Sequence, residues 1–509
     1  MLQLTSYRIR LEIASTMKTR NAIVGMLMSA VIAFQLGSFL NIEATLRLIA
    51  GGNDDDLTTT LDEEVQAQAP RAAVVERSEQ LLSDDPVFWI DDKVDDYFER
   101  TYIDPARLTH LRTDLPVKHY FPPVCGLYRF DERRLPTVSV IMTLRNEMPG
   151  MVSLTVHAIL ARTPVSLLVE VIIVDDSNEK YSAELQELEQ VSDKVVILPT
   201  TQREGCARSR LIGARKARGA VLMFIDSHVE MLSSTWYQHL VLPIVENPHT
   251  ITSQQLQYMG DLKNHTYEDQ KGRGSHYGTT NDKFYFSYQS IRFPGTRYEQ
   301  RPSQTEPFEM PFGPGALFAI RADEFWRLGG YDEGLYVWGG ENMELSLKIW
   351  LCGGRLVQVP CSNTGHMYRV HDQHKWTNDN FDEGLTSKIG VDEPGDYRAY
   401  GSSKTQMMTR IWLRNNIRVA SLWLGDAKYY YYKQVFGSKE LPPEWAKFEE
   451  EDEYILEQIR IKKKNQCRDF EWFDQHVFMR ILGVHNPWYG EMKKDKSRHI
   501  AVKDNNAAR

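Results

Sequence analysis

Apolar and polar positions fall in blocks along this chain, and the blocks change character twice. Ala22 to Leu40 is an uncharged run of 19 residues whose only strongly polar members are Ser29, Gln35 and Ser38. At about 1.5 Å per residue such a run matches a hydrocarbon core of about 30 Å, and it lacks the polar face that a helix packed in a soluble core keeps. From 41 to 87 the chain is poor in aromatics and rich in Asp, Glu, Gln, Thr and Ala, with neither helical nor strand periodicity, which predicts an extended stem. From about residue 137 short apolar runs alternate with amphipathic stretches.

The alternation predicts strands at Thr137–Thr143, Val169–Val174, Val195–Leu198 and Val221–Ile225. Helices are predicted at Met151–Arg162 and Cys206–Arg218, with a later helix at Met343–Trp350 and a later strand at Leu356–Val359. Near-continuous apolar strands separated by helices predict an α/β fold with a mostly parallel central sheet flanked by helices on both faces. Ligands on such sheets lie beyond the carboxyl ends of the strands, where this sequence places Thr143, Asp176 and Asp226. No GxGxxG follows the first strand and no GxxxxGK[ST] occurs, so dinucleotide oxidoreductases and P-loop NTPases fall away.

Charge refines the picture. The chain has 60 Lys and Arg against 69 Asp and Glu, a net charge of −9. Residues 51–100 hold 15 acids and 4 bases, so the remainder is close to neutral and offers no case for nucleic-acid binding. Arg8, Arg10, Lys18 and Arg20 precede the apolar run against Glu12, and the flank after it turns acidic. The positive-inside rule then predicts a cytoplasmic tail (1–21), a transmembrane signal-anchor (22–40) and a lumenal remainder. A cleaved signal peptide with a small-residue site near Ala50-Gly51-Gly52 and a buried helix are the competing readings. Five cysteines exclude a disulfide-dense scaffold, and no CxxC pair suggests structural zinc. Lumenal placement makes Asn264, in the only N-x-S/T sequon, the expected glycosylation site.

Candidate metal chemistry follows the fourth strand. In Asp226-Ser227-His228 the first and third side chains of an extended segment point the same way and can converge on one cation. A carboxylate with imidazoles suits a borderline divalent ion such as Mn²⁺. A bare D-x-H is more often a pair of strand-end polar residues, so a third ligand is needed, and His366, after Gly365, can supply it. Trp338-Gly339-Gly340-Glu341-Asn342 opens a helix with two glycines that permit close backbone approach to a ligand.

Taken in order, Val174-Asp175-Asp176, Arg203-Glu204-Gly205 with Arg208 and Arg210, Asp226-Ser227-His228, Trp338 to Asn342, Pro360-Cys361-Ser362 and Gly365-His366 resemble the polypeptide N-acetylgalactosaminyltransferases, glycosyltransferase family 27, across about Cys125 to Val484. The resemblance implies a GT-A fold over 88–484. It also implies a Golgi membrane protein of type II topology that transfers N-acetylgalactosamine from UDP-GalNAc, with retention, to Ser/Thr hydroxyls of polypeptides, using Mn²⁺. It implies Asp226, His228 and His366 as metal ligands. Thr143, Asp176 and Arg203, with Ser227 beside them, would seat the uridine half, and Arg210 and Glu341 would contact the sugar. Trp338 would lie beside the diphosphate, Asn342 next to the reaction centre, and Arg369 would begin a mobile loop reaching Trp376. Gly315 and Ala316 would line the N-acetyl pocket. The family's bridges imply Cys125 with Cys361 and Cys352 with Cys467, leaving Cys206 free.

Departures accompany the likeness. Leu144-Arg145-Asn146-Glu147 stands where the family reads Phe-His-Asn-Glu, and Pro314-Gly315-Ala316 where it reads Ala-Gly-Gly. Cys206 replaces an aliphatic residue, and 485–509 is a polar tail where most members carry a lectin domain, so that domain is expected to be absent. Arg145 would bring a permanent charge near the donor sugar, and the Ala316 methyl would narrow the pocket. A catalytically inactive lumenal homologue that binds nucleotide or partner proteins, or a GT-A transferase with another donor, are the alternatives. Tyr429–Tyr432 is expected to be a packed aromatic ridge, Lys462–Lys464 a solvated face and Glu449–Glu453 a surface run. Asp54–Asp56 is not expected to bind metal, and the acceptor groove is expected near Trp376 and Arg292–Glu309.

Overall fold

Alternating β-branched and apolar residues make β1 (Val138–Leu144) a strand buried at six of its seven positions. The chain then repeats the same device: α1 (Met151–Arg162), β2 (Leu168–Asp175), α2 (Ser182–Val191), β3 (Val195–Pro199), α3 (Cys206–Lys216) and β4 (Val221–Asp226). The computed structural model describes residues 87–90, 123–147, 150–178, 182–261, 266–268, 276–280, 286–290, 305–313, 315–366, 403–441, 452–483 and 485. All of these fall within the unit Pro70–Arg509, and the unit Met1–Ala69 lies outside the described residues. So do the expected transmembrane run 22–40, nearly all of the stem, Asp54–Asp56, Asn264, Pro314, Arg369, Trp376, most of the expected acceptor segment and the tail after 485. Among the described residues no helix is long and apolar enough to cross a membrane.

β1 pairs in parallel with β2 on one side and β4 on the other, and β2 pairs in parallel with β3. The chain therefore reverses its direction of growth at β1, and the crevice above the β1 and β4 carboxyl ends is the topological switch point where α/β sheets take ligands.

Beyond β4 the sheet stays mostly parallel in strand direction, with antiparallel strands interleaved. β5 (Val229–Met231) leads to α4 (Trp236–Glu246), β6 (Thr250–Asp261), β7 (Phe308–Glu309), β8 (Phe318–Arg321), α5 (Glu341–Leu351) and β9 (Arg355–His366). The sheet order is β7-β9-β6-β8-β4-β1-β2-β3, with β5 on β9 and a short strand Thr266–Glu268 on β6. β8 runs antiparallel to both β4 and β6, and β5 and β7 run antiparallel to β9, while β9 and β6 are parallel. The sheet is mixed. An apolar run marked β9 at Leu356–Val359 but could not mark β6 and β8, because β8 has four residues and β6 begins Thr-Ile-Thr-Ser-Gln, with Thr250, Thr252, Ser253 and Gln254 all buried.

Strand side chains alternate between two apolar clusters, as the period of two requires. Ile141, Ile172, Val174, Leu222 and Phe224 pack with α3, α5 and α6 (Ser403–Trp423). Val140, Met142, Val171, Ile173, Met223 and Ile225 pack with α1 and α4 on the other face. Both expected disulfides are formed, Cys125–Cys361 and Cys352–Cys467, and Cys206 is the free cysteine.

The C-terminal helices are tied to this body by charge as well as packing. Arg418 of α6, fully buried, donates twice to Asp332 (3.0 and 2.9 Å) and also pairs with Asp452. Asp452 in turn caps α7 (Glu453–Lys464), accepting from the Tyr454 and Ile455 N–H groups. Asp452 therefore departs from the expected acidic surface run. Lys462 likewise departs from the expected solvated face, donating to the Leu422 carbonyl at 2.9 Å and lying over Trp423, while Lys463 and Lys464 are exposed. Tyr430, Tyr431 and Tyr432 are buried, as a packed ridge requires, and Tyr429 is exposed.

Candidate active site

Parallel register sets Thr143 of β1 beside Asp226 of β4. The chain then bends through Ser227 and His228 into β5, whose antiparallel pairing with β9 puts Val229 opposite His366. That pairing, helped by a register shift in β9 between Val359 and Asn363, carries His366 back to a residue 140 positions earlier. Cys361, inside the shifted segment, is tethered to Cys125.

The three expected ligands meet. One ligand atom from each of Asp226, His228 and His366 lies within 4.8 Å of the others. His366 Nε2 is 3.2 Å from Asp226 Oδ2, and the two imidazole rings are 4.9 Å apart. Burial works against the Asp226 charge, yet the His366 hydrogen bond and the charges of His228, His366 and Arg210 hold its carboxyl well below the usual range. Burial also pulls His366 down, more than its bond to Asp226 raises it, which favours the neutral imidazole that a metal needs.

A fourth residue completes the cluster, and motif reasoning gave it no role. The buried carboxylate of Glu147 lies 2.8 Å from His228 Nδ1 and accepts the Ser227 hydroxyl at 2.8 Å. A carboxylate on Nδ1 fixes the tautomer that presents Nε2 as an electron-pair donor, the usual arrangement behind a metal-bound histidine. Its sequence signal was the residue type alone, acidic and just past a strand end. One carboxylate and two imidazoles, one of them oriented from behind, fit a borderline divalent ion such as Mn²⁺.

Around this cluster the charges are balanced from within. Arg210, on the second turn of α3 and 3% exposed, places Nη2 3.6 Å from Asp226 Oδ1. Its Nε and Nη1 are buried without a hydrogen-bond partner among the described residues, as are Thr143 Oγ1 and Asn342 Oδ1. Buried donors and acceptors of this kind call for a ligand. Glu341, the first residue of α5, accepts the Gly339 N–H at 2.8 Å. Burial raises its carboxyl, with Arg210 opposing. Gly315 lies so close to Asn342 that a Cβ would fall 2.3 Å from Oδ1. Cys206 heads α3, and burial pushes its thiol up to about 12.

On the strand-end side of β2, Asp176 is engaged by backbone: its carboxylate accepts the N–H groups of Glu204 (2.6 Å) and Gly205 (3.0 Å) and so shapes the Arg203–Gly205 turn. Burial raises Asp176, against the pull of those N–H groups and of Arg203 and Arg145. Arg145 is held beside Asp176. Its guanidinium donates to the carbonyls of Asp176 (2.7 Å) and Ser177, stapling the β1 and β2 loops together. Ala316 is also absorbed by the fold: it is 5% exposed and packs in the apolar cluster with Leu317, Ala319 and Val357. Trp338 sits in the turn that leads to Glu341. Arg369 and Asn264 lie outside the described residues.

Comparison with known proteins agrees with this geometry. The family model "Glycosyl transferase family 2" matches residues 139–329, and "N-terminal domain of galactosyltransferase" matches residues 304–375. N-acetylgalactosaminyltransferase 7 of Mus musculus is 34% identical over 383 residues, covering 72% of this chain and 52% of the relative. Polypeptide N-acetylgalactosaminyltransferase 10 of Homo sapiens is 32% identical over 366 residues, covering 71% and 52%. The chain thus spans about half the length of the curated relatives it matches. A crystal structure of GalNAc-T7 with UDP, GalNAc and Mn²⁺ superposes with a TM-score of 0.56 at 29% identity, covering 75% of this chain and 64% of that one. Over the matched stretch, this chain is homologous to polypeptide N-acetylgalactosaminyltransferases and has a GT-A fold.

Proposed function

We propose that the chain is a retaining glycosyltransferase that moves N-acetylgalactosamine from UDP-GalNAc to Ser/Thr hydroxyls of polypeptides. The observation that carries the reading is the convergence of Asp226, His228 and His366, within 4.8 Å, at the switch point of the sheet. Asp226, His228 and His366 would hold Mn²⁺, with Glu147 orienting His228. When bound there, the ion neutralises the diphosphate and stabilises UDP as it departs.

The chain's own residues do the rest. Thr143, Asp176 and Arg203 stand along the uridine side, with Asp176 holding the turn that presents Arg203. Arg210 and Glu341 offer a buried donor and acceptor for sugar hydroxyls, and the Arg210 charge keeps two neighbouring carboxylates tolerable in a dry site. The Asn342 amide, pressed against Gly315, stands beside the reacting carbon. The acceptor hydroxyl attacks the face from which UDP leaves, and the departing phosphate takes its proton. No step needs a side-chain nucleophile.

The membrane anchor at 22–40 and a lumenal, Golgi site of action belong to the same proposal, supported by the basic flank before the apolar run and by two disulfides of the kind that persist in oxidising compartments. Incubating the purified chain with Mn²⁺, UDP-GalNAc and a Thr-rich peptide tests the activity: peptide glycosylation is expected. UDP binding with neither transfer nor donor hydrolysis would overturn it in favour of a non-catalytic binder.

A further inference from the structure

We propose that Asn415 is a positioning residue for the donor site, an inference that rests on the transferase reading above. The residues that matter sit in the turn ahead of α5, and that turn contains a strained position. Val337 has φ 58°, the left-handed region that a β-branched residue adopts only when its surroundings impose it.

Two sides impose it. On one, the Cys206 N–H donates to the Val337 carbonyl at 2.8 Å, beside Gly205, where a Cβ would lie 2.2 Å from the Val337 Cα. On the other, the fully buried side-chain amide of Asn415, on α6, accepts the Tyr336 N–H at 3.3 Å. The same amide donates to the carbonyls of Tyr336 at 2.8 Å and Trp338 at 3.2 Å. One side chain thus grips the peptide units before and after Val337, from 77 residues beyond Trp338.

Its neighbours on α6 reinforce the grip. Arg414 donates to the Gly334 carbonyl at 2.6 Å and lies 5.0 Å from the Tyr336 ring, and Trp412 is so close to Gly339 that a Cβ there would meet its ring at 2.5 Å. The direction in which Trp338 leaves the backbone, and the start of the helix that presents Glu341, are therefore set by α6. Truncating Asn415 removes three hydrogen bonds at once and one of the two restraints on Val337, so the turn relaxes toward negative φ, which turns Trp338 and shifts Glu341. A donor site misplaced by an ångström loses affinity and rate together.

The experiment uses the full chain carrying Asn415→Ala, alone and with Val337→Gly, since glycine adopts positive φ without the strain that valine carries there. Three quantities are read: UDP affinity in the presence of Mn²⁺, KM and kcat with UDP-GalNAc, and amide hydrogen exchange of the metal-free, nucleotide-free protein. Expected are at least a tenfold loss of UDP affinity, a matching rise in KM, and faster exchange confined to residues 336–341. Val337→Gly is expected to return most of the lost affinity, which simple loss of packing would not allow. Wild-type affinity in Asn415→Ala, a loss that Val337→Gly does not relieve, or unchanged exchange at 336–341 overturns the assignment. Should Asn415→Ala not fold, Asn415→Asp keeps the acceptor for Tyr336 and loses both donated bonds, and the same readouts decide. If the wild type itself binds no UDP, the transferase reading fails, and the exchange measurement alone decides the role of Asn415.

Discussion

The Nδ1 of His228 lies 2.8 Å from the Oε2 of Glu147, so a carboxylate buried behind the metal cluster decides which imidazole nitrogen faces it. Glu147→Ala is expected to weaken Mn²⁺ binding by about 10- to 100-fold with the fold intact, the usual consequence of losing the partner behind a metal-bound histidine. Mn²⁺ titration with circular dichroism as the control checks it, and unchanged affinity would remove Glu147 from the site.

His228→Ala should abolish Mn²⁺-dependent turnover, and a chelator should do the same to the wild type. Neither is expected to unfold the domain, because the cluster stands at strand ends above two apolar cores rather than inside them. Retained turnover in His228→Ala would refute the ligand assignment.

Gly315 packs directly against Asn342, which the proposed mechanism sets beside the reacting carbon. In Gly315→Ala the new methyl would fall 2.3 Å from Asn342 Oδ1 and force that amide to move. Overpacking of this kind costs about 1–3 kcal/mol. At least a tenfold fall in kcat is expected while the melting temperature drops only modestly, and full activity would show that Asn342 does not need its place.

His239 predicts how stability responds to acid. Burial pulls its imidazole from 6.5 down to about 4, although its hydrogen bond to the Cys125 carbonyl at 3.2 Å opposes the shift. The unfolded chain takes up a proton below about pH 6.5 that the folded chain refuses until about pH 4. Stability should therefore fall as pH drops through that window, by roughly 3 kcal/mol from this residue. Denaturant unfolding of wild type and His239→Gln across pH 7 to 4 checks it: the variant should show a shallower slope.

Asp452 also loses its contribution in acid, for a different reason. Burial disfavours its charge, but the Arg418 hydrogen bond and charge and the N–H groups it caps hold it below 3.8. Its contribution is present above the unfolded carboxyl range and lost as pH falls through the lowered value. Asp452→Asn should destabilise by about 1–3 kcal/mol at pH 7, because it leaves part of the buried Arg418 charge unanswered. The difference from wild type should shrink toward pH 3, measured by urea titration at both values.

The parallel half of the sheet could be read from residue order, because each strand there is a short apolar run set between amphipathic helices: β1 to β4 lie within a residue or two of the predicted spans. The same runs place Thr143, Asp176 and Asp226 at strand ends, and two glycines before Glu341 announce a turn that approaches a ligand. What residue order could not supply was pairing across distance. His366 reaches Asp226 because β9 shifts register and lies against β5, a pairing that no local pattern states. Arg145 finds its carbonyl partners, and Ala316 its apolar neighbours, only after folding. Glu147 and Asn415 are ordinary polar residues in the sequence, and become site residues only because tertiary contact buries them against one histidine and one turn. Local composition fixes which segments are strands and helices, since that depends on side chains a few positions apart. Hydrogen bonds and burial between segments 31 to 140 residues apart fix which of their polar groups share one dry space.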